Sequence, residues 1–281
     1  MVKIIFEAHG TTFDNEAHLS SGHNDIALSP LGIQQSKEMG ERYKDEHFNA
    51  IFCSDLQRAY TSAQIAFGDK FPIIKDRRLR ECDYGDFTQK PSEVVDEQKP
   101  LRLTEPFPNG ESYADTTERM RHFLINLFSD YEGKRVMVIG HRATQYGLDN
   151  LIKHVPMKQL VSTHFKWQPG WAYELTHGIP TKQTQLLSDA LKERNVHHEI
   201  EYFDGHKHID IAIPSAKIFI EVDGIHHYTD SEQIKRDFKR DHFSDGDDFS
   251  TIHIPNEIAE SHRKEVADAI AQVVRGRQLS R

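Results

Sequence analysis

Apolar positions along this chain fall into short runs divided by longer amphipathic stretches, and their spacing predicts the elements. Residues 2–6 form an apolar run that reads as a first β-strand. The run leads into His9, at the carboxyl edge where open α/β sheets put their ligand sites. Asp25 to Gly32 opens a polar helix, and Phe52 to Ala63 carries a strand into another helix with Arg58 in its first turn. A later apolar strand, 136–139, delivers Gly140-His141-Arg142, and the segment from Trp167 to Leu175 reads as a last strand. The stretch 89–106 is polar and punctuated by Pro91, Pro100 and Pro106, which argues against a long element there.

Beyond residue 176 the pattern changes. Residues 177–182 hold turn formers without periodicity and read as a linker between a domain of 1–176 and one of 183–281. In the second domain Leu186, Leu187, Ala190 and Leu191 predict an amphipathic helix. A polar strand at 198–203, a turn at Asp204-Gly205 and an alternating strand at 209–213 follow, then a strand at 218–223. A charged helix containing Asp237 and Arg240, a strand at 251–254 and a closing helix at 257–274 complete an α-β-β-β-α-β-α order.

The first domain carries five motifs in sequence: His9-Gly10-Thr11-Thr12 with Asn15, Ser54 to Ala59 around Arg58, Glu81 with Gly85, Gly110-Glu111-Ser112, and His141. In this order and spacing they resemble the histidine phosphatase family, with its phosphoglycerate-mutase-like fold, over about residues 1–176. The resemblance implies a three-layer α/β/α domain. It also implies that His9 attacks phosphorus to give a phosphohistidine, splitting one hard displacement into two easier ones. Arg58 and His141 would clamp the nonbridging oxygens, with Asn15 adding an amide donor. Glu81 would protonate the leaving oxygen and then take a proton from water. No metal or other cofactor is required for this chemistry, and residues 89–106 correspond to the family's insertion over the pocket, where substrate choice is expected. Tyr84, Phe87 and Phe107 are expected to pack that lid.

One position breaks the family pattern: Ala8 stands where the family has an arginine. A charged donor to a buried phosphate is worth roughly 1.5–3 kcal/mol in binding. Either Arg142, helped by Thr144 and Gln145, supplies the missing guanidinium, or the domain binds phosphate as a sensor without turning it over.

Composition limits the alternatives. No run of about 18 apolar residues exists, so no membrane span is expected. The start is too soon polar for a signal peptide, and the chain's two cysteines, Cys53 and Cys82, sit in core-like motifs and are expected reduced; the cytoplasm is the expected compartment.

The second domain has an Asp on its second strand (Asp210), then Glu221-Val222-Asp223-Gly224 with His227, then Asp237 and Arg240. This resembles PD-(D/E)xK nucleases, specifically the small proteins similar to very-short-patch repair endonucleases, and implies a smaller restriction-endonuclease-like α/β domain. Two carboxylates at neighbouring strand ends repel unless a hard cation lies between them. Asp210, Glu221 and Asp223 are therefore expected to ligate Mg²⁺ or Mn²⁺, with His227 as general base or acid. Residues 185–281 hold 13 Lys and Arg against 19 Asp and Glu, so avid duplex binding is not expected, though a nucleic acid remains a possible partner. The two readings together predict a phosphomonoesterase acting on a nucleotide or nucleic-acid end, fused to a metal-dependent phosphodiesterase. The alternatives are a nucleotide sensor controlling a nuclease, as in antiviral defence, and a pair of non-catalytic interaction modules; oligomeric state is not readable from the sequence.

Overall fold

The computed structural model describes residues 1–68, 70–163, 166–204, 208–224 and 249–279. It divides into two compact units, Met1–His177 and Gly178–Arg281.

The first unit is built on a five-stranded sheet in the order β3-β2-β4-β1-β5. Its strands are β1 (Val2–Ala8), β2 (Ala50–Cys53), β3 (Ile73–Lys75), β4 (Arg135–Gly140) and β5 (Trp171–Leu175). β1 to β4 run parallel and β5 closes the edge antiparallel to β1. β4 lies between neighbours on both sides, and Val136, Met137, Val138 and Ile139 are all fully buried. Successive side chains point to opposite faces, so both faces of β4 are covered, which is why its sequence is a continuous apolar run rather than an alternating one. The helices α1 (Phe13–Glu16), α2 (Pro30–Arg42), α3 (Gln57–Phe67), α4 (Ser92–Gln98), α5 (Tyr113–Tyr131), α6 (Arg142–Leu151) and α7 (Met157–Ser162) connect the strands.

Caps set the helix starts. Ser29 accepts from the Gly32 amide ahead of Pro30, and Ser112 forms a capping box with Asp115 at the head of α5. Gly10 and Gly32 let the turn after β1 press onto the start of α2: a β-carbon on Gly10 would collide with the Gly32 carbonyl. The insertion at 89–106 is not irregular throughout; it folds into α4 and a 3₁₀ turn, Lys99–Leu101. Both cysteines are free and buried.

The second unit carries α8 (Lys182–Lys192) and a four-stranded sheet, β6 (Glu199–Phe203), β7 (His208–Ile213), β8 (Ile218–Asp223) and β9 (Ser250–Pro255), in sequential order. Thr181 caps α8 through the Thr184 amide, so the helix begins inside the stretch expected as linker. One sheet face, with Ile211, Ile213, Ile218, Ile220 and Ile254, packs against Leu187 and Leu191 of α8 and against Ile270 and Val274. The closing helix expected at 257–274 is two helices, α9 (Asn256–Ser261) and α10 (Arg263–Leu279), because His262 leaves helical geometry at φ −124° and ψ 25°. The expected charged helix, with Asp237 and Arg240, lies outside the described residues, as does His227. Among the described residues no helix is long and apolar enough to cross a membrane.

Candidate active site

Sheet register brings the two histidines together. Ala8 pairs with Gly140 at the carboxyl ends of adjacent parallel strands, so the next residue of each strand, His9 and His141, leaves the sheet at the same level. Their ring centroids lie 4.9 Å apart, edge to face, and the His9 amide donates to the Gly140 carbonyl at 3.1 Å. His9 Nδ1 lies 2.7 Å from the Gly10 carbonyl. A carbonyl only accepts, so Nδ1 carries the proton and Nε2 keeps its lone pair. Burial, reinforced by the Arg58 charge, lowers the His9 pKa to about 3, so the imidazole is neutral at physiological pH.

His141 is 2 % exposed and caps α6, its amide donating to Thr144 Oγ1 at 3.0 Å. Burial, Arg58 and His9 push its pKa well below the usual histidine range. Both of its ring nitrogens are buried without a hydrogen-bond partner. Such orphaned groups are costly and mark positions where a ligand supplies the missing partner.

Arg58, also 2 % exposed, donates from Nη1 to the Asn24 carbonyl at 2.9 Å and from Nη2 to the Gly22 carbonyl at 2.8 Å. It thus fixes the loop opposite His9 while holding a positive charge in the cavity. Glu81 accepts three backbone amides, Cys82 and Ala143 at Oε1 and Arg142 at Oε2, over 2.8–3.1 Å. Two of these belong to the first turn of α6, a natural seat for a carboxylate. The loop carrying Glu81 is held from behind by Arg119, which pairs with Glu111 and donates to the carbonyls of Arg78, Arg80 and Glu81. The Gly-Glu-Ser motif therefore serves the site indirectly: Glu111 holds Arg119, and Ser112 starts α5.

These side chains line a cavity of about 340 Å³ that also contains Asn15, Arg142 and Gln145. Asn15 spends its carbonyl oxygen on the Thr12 amide at 3.0 Å, leaving the amide nitrogen as its donor end. Thr144 is not a pocket donor: its hydroxyl donates to the Leu79 carbonyl at 2.8 Å and accepts from His141. Arg142 does not aim at the histidines. Its Nε donates to Tyr146 Oη at 2.6 Å and its Nη2 to the Thr163 carbonyl at 2.9 Å, so the guanidinium is a side wall of the cavity.

Several lining residues escaped the sequence reading, among them Asp96, Lys99 and Trp167. Lys99 is a buried lysine paired with Asp96 at 2.5 Å, both from the insertion, and Trp167 is largely exposed at the rim. An Asp and a Lys three apart in the insertion were the only signal for the first two. Tyr84 and Phe107 pack edge to face at 5.2 Å, as lid residues do.

In the second unit, pairing of Ile211 with Ile220 sets Asp210 opposite Glu221 on the face away from the helices. Glu221 pairs with His253 on β9, and Asp223 Oδ2 lies 2.6 Å from His253 Nδ1. Burial, with Glu221, Glu201 and Asp223 adding, raises the Asp210 pKa to about 7. Glu201 is likewise raised to about 7 by burial and Glu221. Among the described residues no three His, Cys, Asp or Glu side chains converge on a common metal position. Asp223 stands two residues beyond Glu221, about 6.7 Å along the strand, and is engaged by His253, while Asp210 Oδ2 accepts the Val222 amide at 2.7 Å.

Residues 4–176 match the family model of the histidine phosphatase superfamily, branch 1. The chain is 30 % identical to an uncharacterized phosphatase, PhoE, of Bacillus subtilis over 149 residues, 53 % of this chain and 76 % of the relative. It is 31 % identical over 150 residues to phosphoserine phosphatase 1 of Hydrogenobacter thermophilus, covering 50 % of this chain and 71 % of that protein. The structure of Bacillus stearothermophilus YhfR superposes with a TM-score of 0.57 at 25 % identity, over 64 % of this chain and 94 % of that one. The family match stops at residue 176 and lends no support to the nuclease-like reading of the second unit. Through its first unit, the chain belongs to the histidine phosphatase superfamily.

Proposed function

We propose that the first unit hydrolyses phosphomonoesters through a phosphohistidine on His9, with nucleotides or nucleic-acid ends as the substrate class. The observation that carries this reading is the buried, partnerless ring of His141 set edge-on to a neutral His9 beside Arg58. Such a cavity is short of an anion with several acceptor oxygens. His9 Nε2 attacks phosphorus as the ester P–O bond breaks, and Arg58 and His141 hold the equatorial oxygens. Glu81 gives its proton to the leaving oxygen. It then takes one from the water that attacks the phosphohistidine, which returns His9 and releases phosphate.

A sensor reading keeps a specific observation on its side: Ala8 brings no charge, and Arg142 is turned towards Tyr146 and Thr163. For the second unit we propose a Mg²⁺- or Mn²⁺-dependent phosphodiesterase. The raised Asp210, facing Glu221 across adjacent strands, fits two carboxylate ligands for a hard cation. Such an ion, when bound, supplies charge that lowers the pKa of a coordinated water. The protein's own part is to keep the two carboxylates buried and fixed.

The test is hydrolysis of an aryl phosphate, a nucleotide panel, phosphoserine and phosphoglycerate in EDTA, with His9→Ala beside the native chain. Turnover that falls by about 10⁴-fold or more in the variant is expected. Tight phosphate binding with no turnover in either protein would favour the sensor.

A further inference from the structure

Ala8 does more than leave a charge out. A second cavity, of about 440 Å³, lies along the flank between β1 and α2, and it shares Ala8, His9, Thr11 and Trp167 with the catalytic cavity. Ala8 is the smallest of these four shared residues, so a long side chain there would take up space that both cavities border. The far cavity has its own chemistry. Trp167 is 59 % exposed and lines both cavities, with the Arg42 guanidinium 5.8 Å from its ring centroid. Gln35 spends its carbonyl oxygen on the Thr11 amide at 2.8 Å, which leaves its NH₂ as a donor, and Glu38, whose Oε1 accepts from Gln34 at 3.0 Å, offers its other carboxylate oxygen. Glu7 is fully buried and accepts from Arg42 and Tyr43, each at 2.7 Å. With Glu7 and Glu38 against Arg42 alone, this cavity does not favour a second phosphate.

We infer that the substrate of the first unit carries a planar, uncharged heterocycle which crosses the rim over Ala8 and stacks on Trp167, its edge read by Gln35 and Glu38. A nucleoside monophosphate has this chemistry: the phosphate sits at His9, the leaving oxygen faces the cavity mouth, and the sugar gives the base room to fold back onto the rim. A sugar bisphosphate or a three-carbon phosphate does not fill the second cavity. The inference rests on the phosphomonoesterase reading of the same site and makes its substrate class more specific.

The test uses the full chain in EDTA and compares kcat/KM for adenosine 5′-monophosphate with that for glycerol 3-phosphate. The readout is their ratio, which a uniform loss of activity does not move. The native chain should prefer the nucleotide by about tenfold or more, the usual worth of one base stacked on an aromatic ring. Trp167→Ala should erase most of that ratio. Ala8→Arg should erase or invert it by taking up that shared space, raising glycerol 3-phosphate turnover while lowering that of the nucleotide. A ratio near one in the native chain, or one unchanged in both variants, overturns the inference. Should neither compound be hydrolysed, the phosphomonoesterase reading fails separately. Calorimetric affinities of the same two ligands then decide: tighter nucleotide binding that Trp167→Ala weakens supports the second subsite, and equal or absent binding overturns it.

Discussion

The two units bury titratable groups of opposite character. In the first, a pair of neutral histidines and an arginine surround a cavity, and the unmet demand is for hydrogen-bond partners: His141 has one ring N–H and one ring lone pair, both orphaned. In the second, Asp210 and Glu201 are buried with Glu221 and pushed towards neutrality, and the unmet demand is for a proton or a cation. Burial is the leading cause in both, yet it moves the pKa values in opposite directions because it penalises whichever form is charged. The degree of preorganisation differs as well. The first site has its carboxylate, its cation and His9 already held by backbone partners, whereas the described part of the second does not bring three ligands together.

The largest expected effect probes that preorganisation. Glu81→Gln keeps the shape but has only one acceptor oxygen, so the Arg142 or the Cys82 and Ala143 amides face an NH₂ group instead. Loss of proton transfer should cost about 10²–10⁴-fold on alkyl phosphates. The loss should be much smaller on p-nitrophenyl phosphate, whose leaving group needs no proton. Equal losses on both would mean that Glu81 only holds the start of α6. The first unit would then be no better preorganised for chemistry than the second.

A smaller effect separates the units through pH. In the first, unfolded histidines bind protons near pH 6.5 that the folded His9 and His141 refuse, so its stability is full above that pH and is lost as pH falls. In the second, Asp210 and Glu201 hold protons up to about pH 7 that unfolded carboxylates release near pH 4, so their contribution to its stability is full in acid and is lost as pH rises through 7, outweighing the half-buried His198, whose lowered pKa acts in the opposite sense. Between about pH 4.5 and 6.5 the two melting temperatures should therefore move in opposite directions as pH rises, the first upward and the second downward. Both tryptophans, Trp167 and Trp171, belong to the first unit, so tryptophan fluorescence follows it alone while calorimetry sees both transitions. Asp210→Asn should flatten the second slope, and Mn²⁺ at pH 8 should raise the second transition of the native chain but not that of the variant. Parallel slopes would erase the contrast.

The contrast was only partly legible in the sequence. His9, Arg58 and His141 stand out because each follows a strand or begins a helix, where side chains gather at a sheet edge, whereas Glu81, which lies in a loop, stands out only through the family motif. Periodicity cannot show that β4 is the neighbour of β1, and so does not give the 4.9 Å histidine pair. Arg119 looks like any polar residue of α5 until its carbonyl partners are seen. Lys99 and Trp167 come from segments without a strong pattern, and only folding turns them to the cavity. In the second unit, alternation put Asp210 and Glu221 on a common face, but Glu201 and His253 join them through strand register, which alternation leaves open.

The smallest expected effect bears on Arg142, the residue offered by the sequence as a substitute for the arginine missing at position 8. A guanidinium donating to a buried phosphate is worth roughly 1.5–3 kcal/mol, or about 10–150-fold. In the structure Arg142 is drawn to Tyr146 and Thr163, and it stacks with its carbon 5.4 Å from the Tyr146 ring centroid. To reach the phosphate it would have to give up both hydrogen bonds, and the net gain shrinks by about 1 kcal/mol for each one broken. Arg142→Ala is therefore expected to lower kcat/KM by less than about tenfold, chiefly through KM, because a side wall of the cavity is lost rather than a contact made only in the transition state. A loss of about 100-fold carried in kcat would show that the side chain swings inward during turnover. The first site would then resemble the second in needing a rearrangement to become complete, and the contrast between them would narrow.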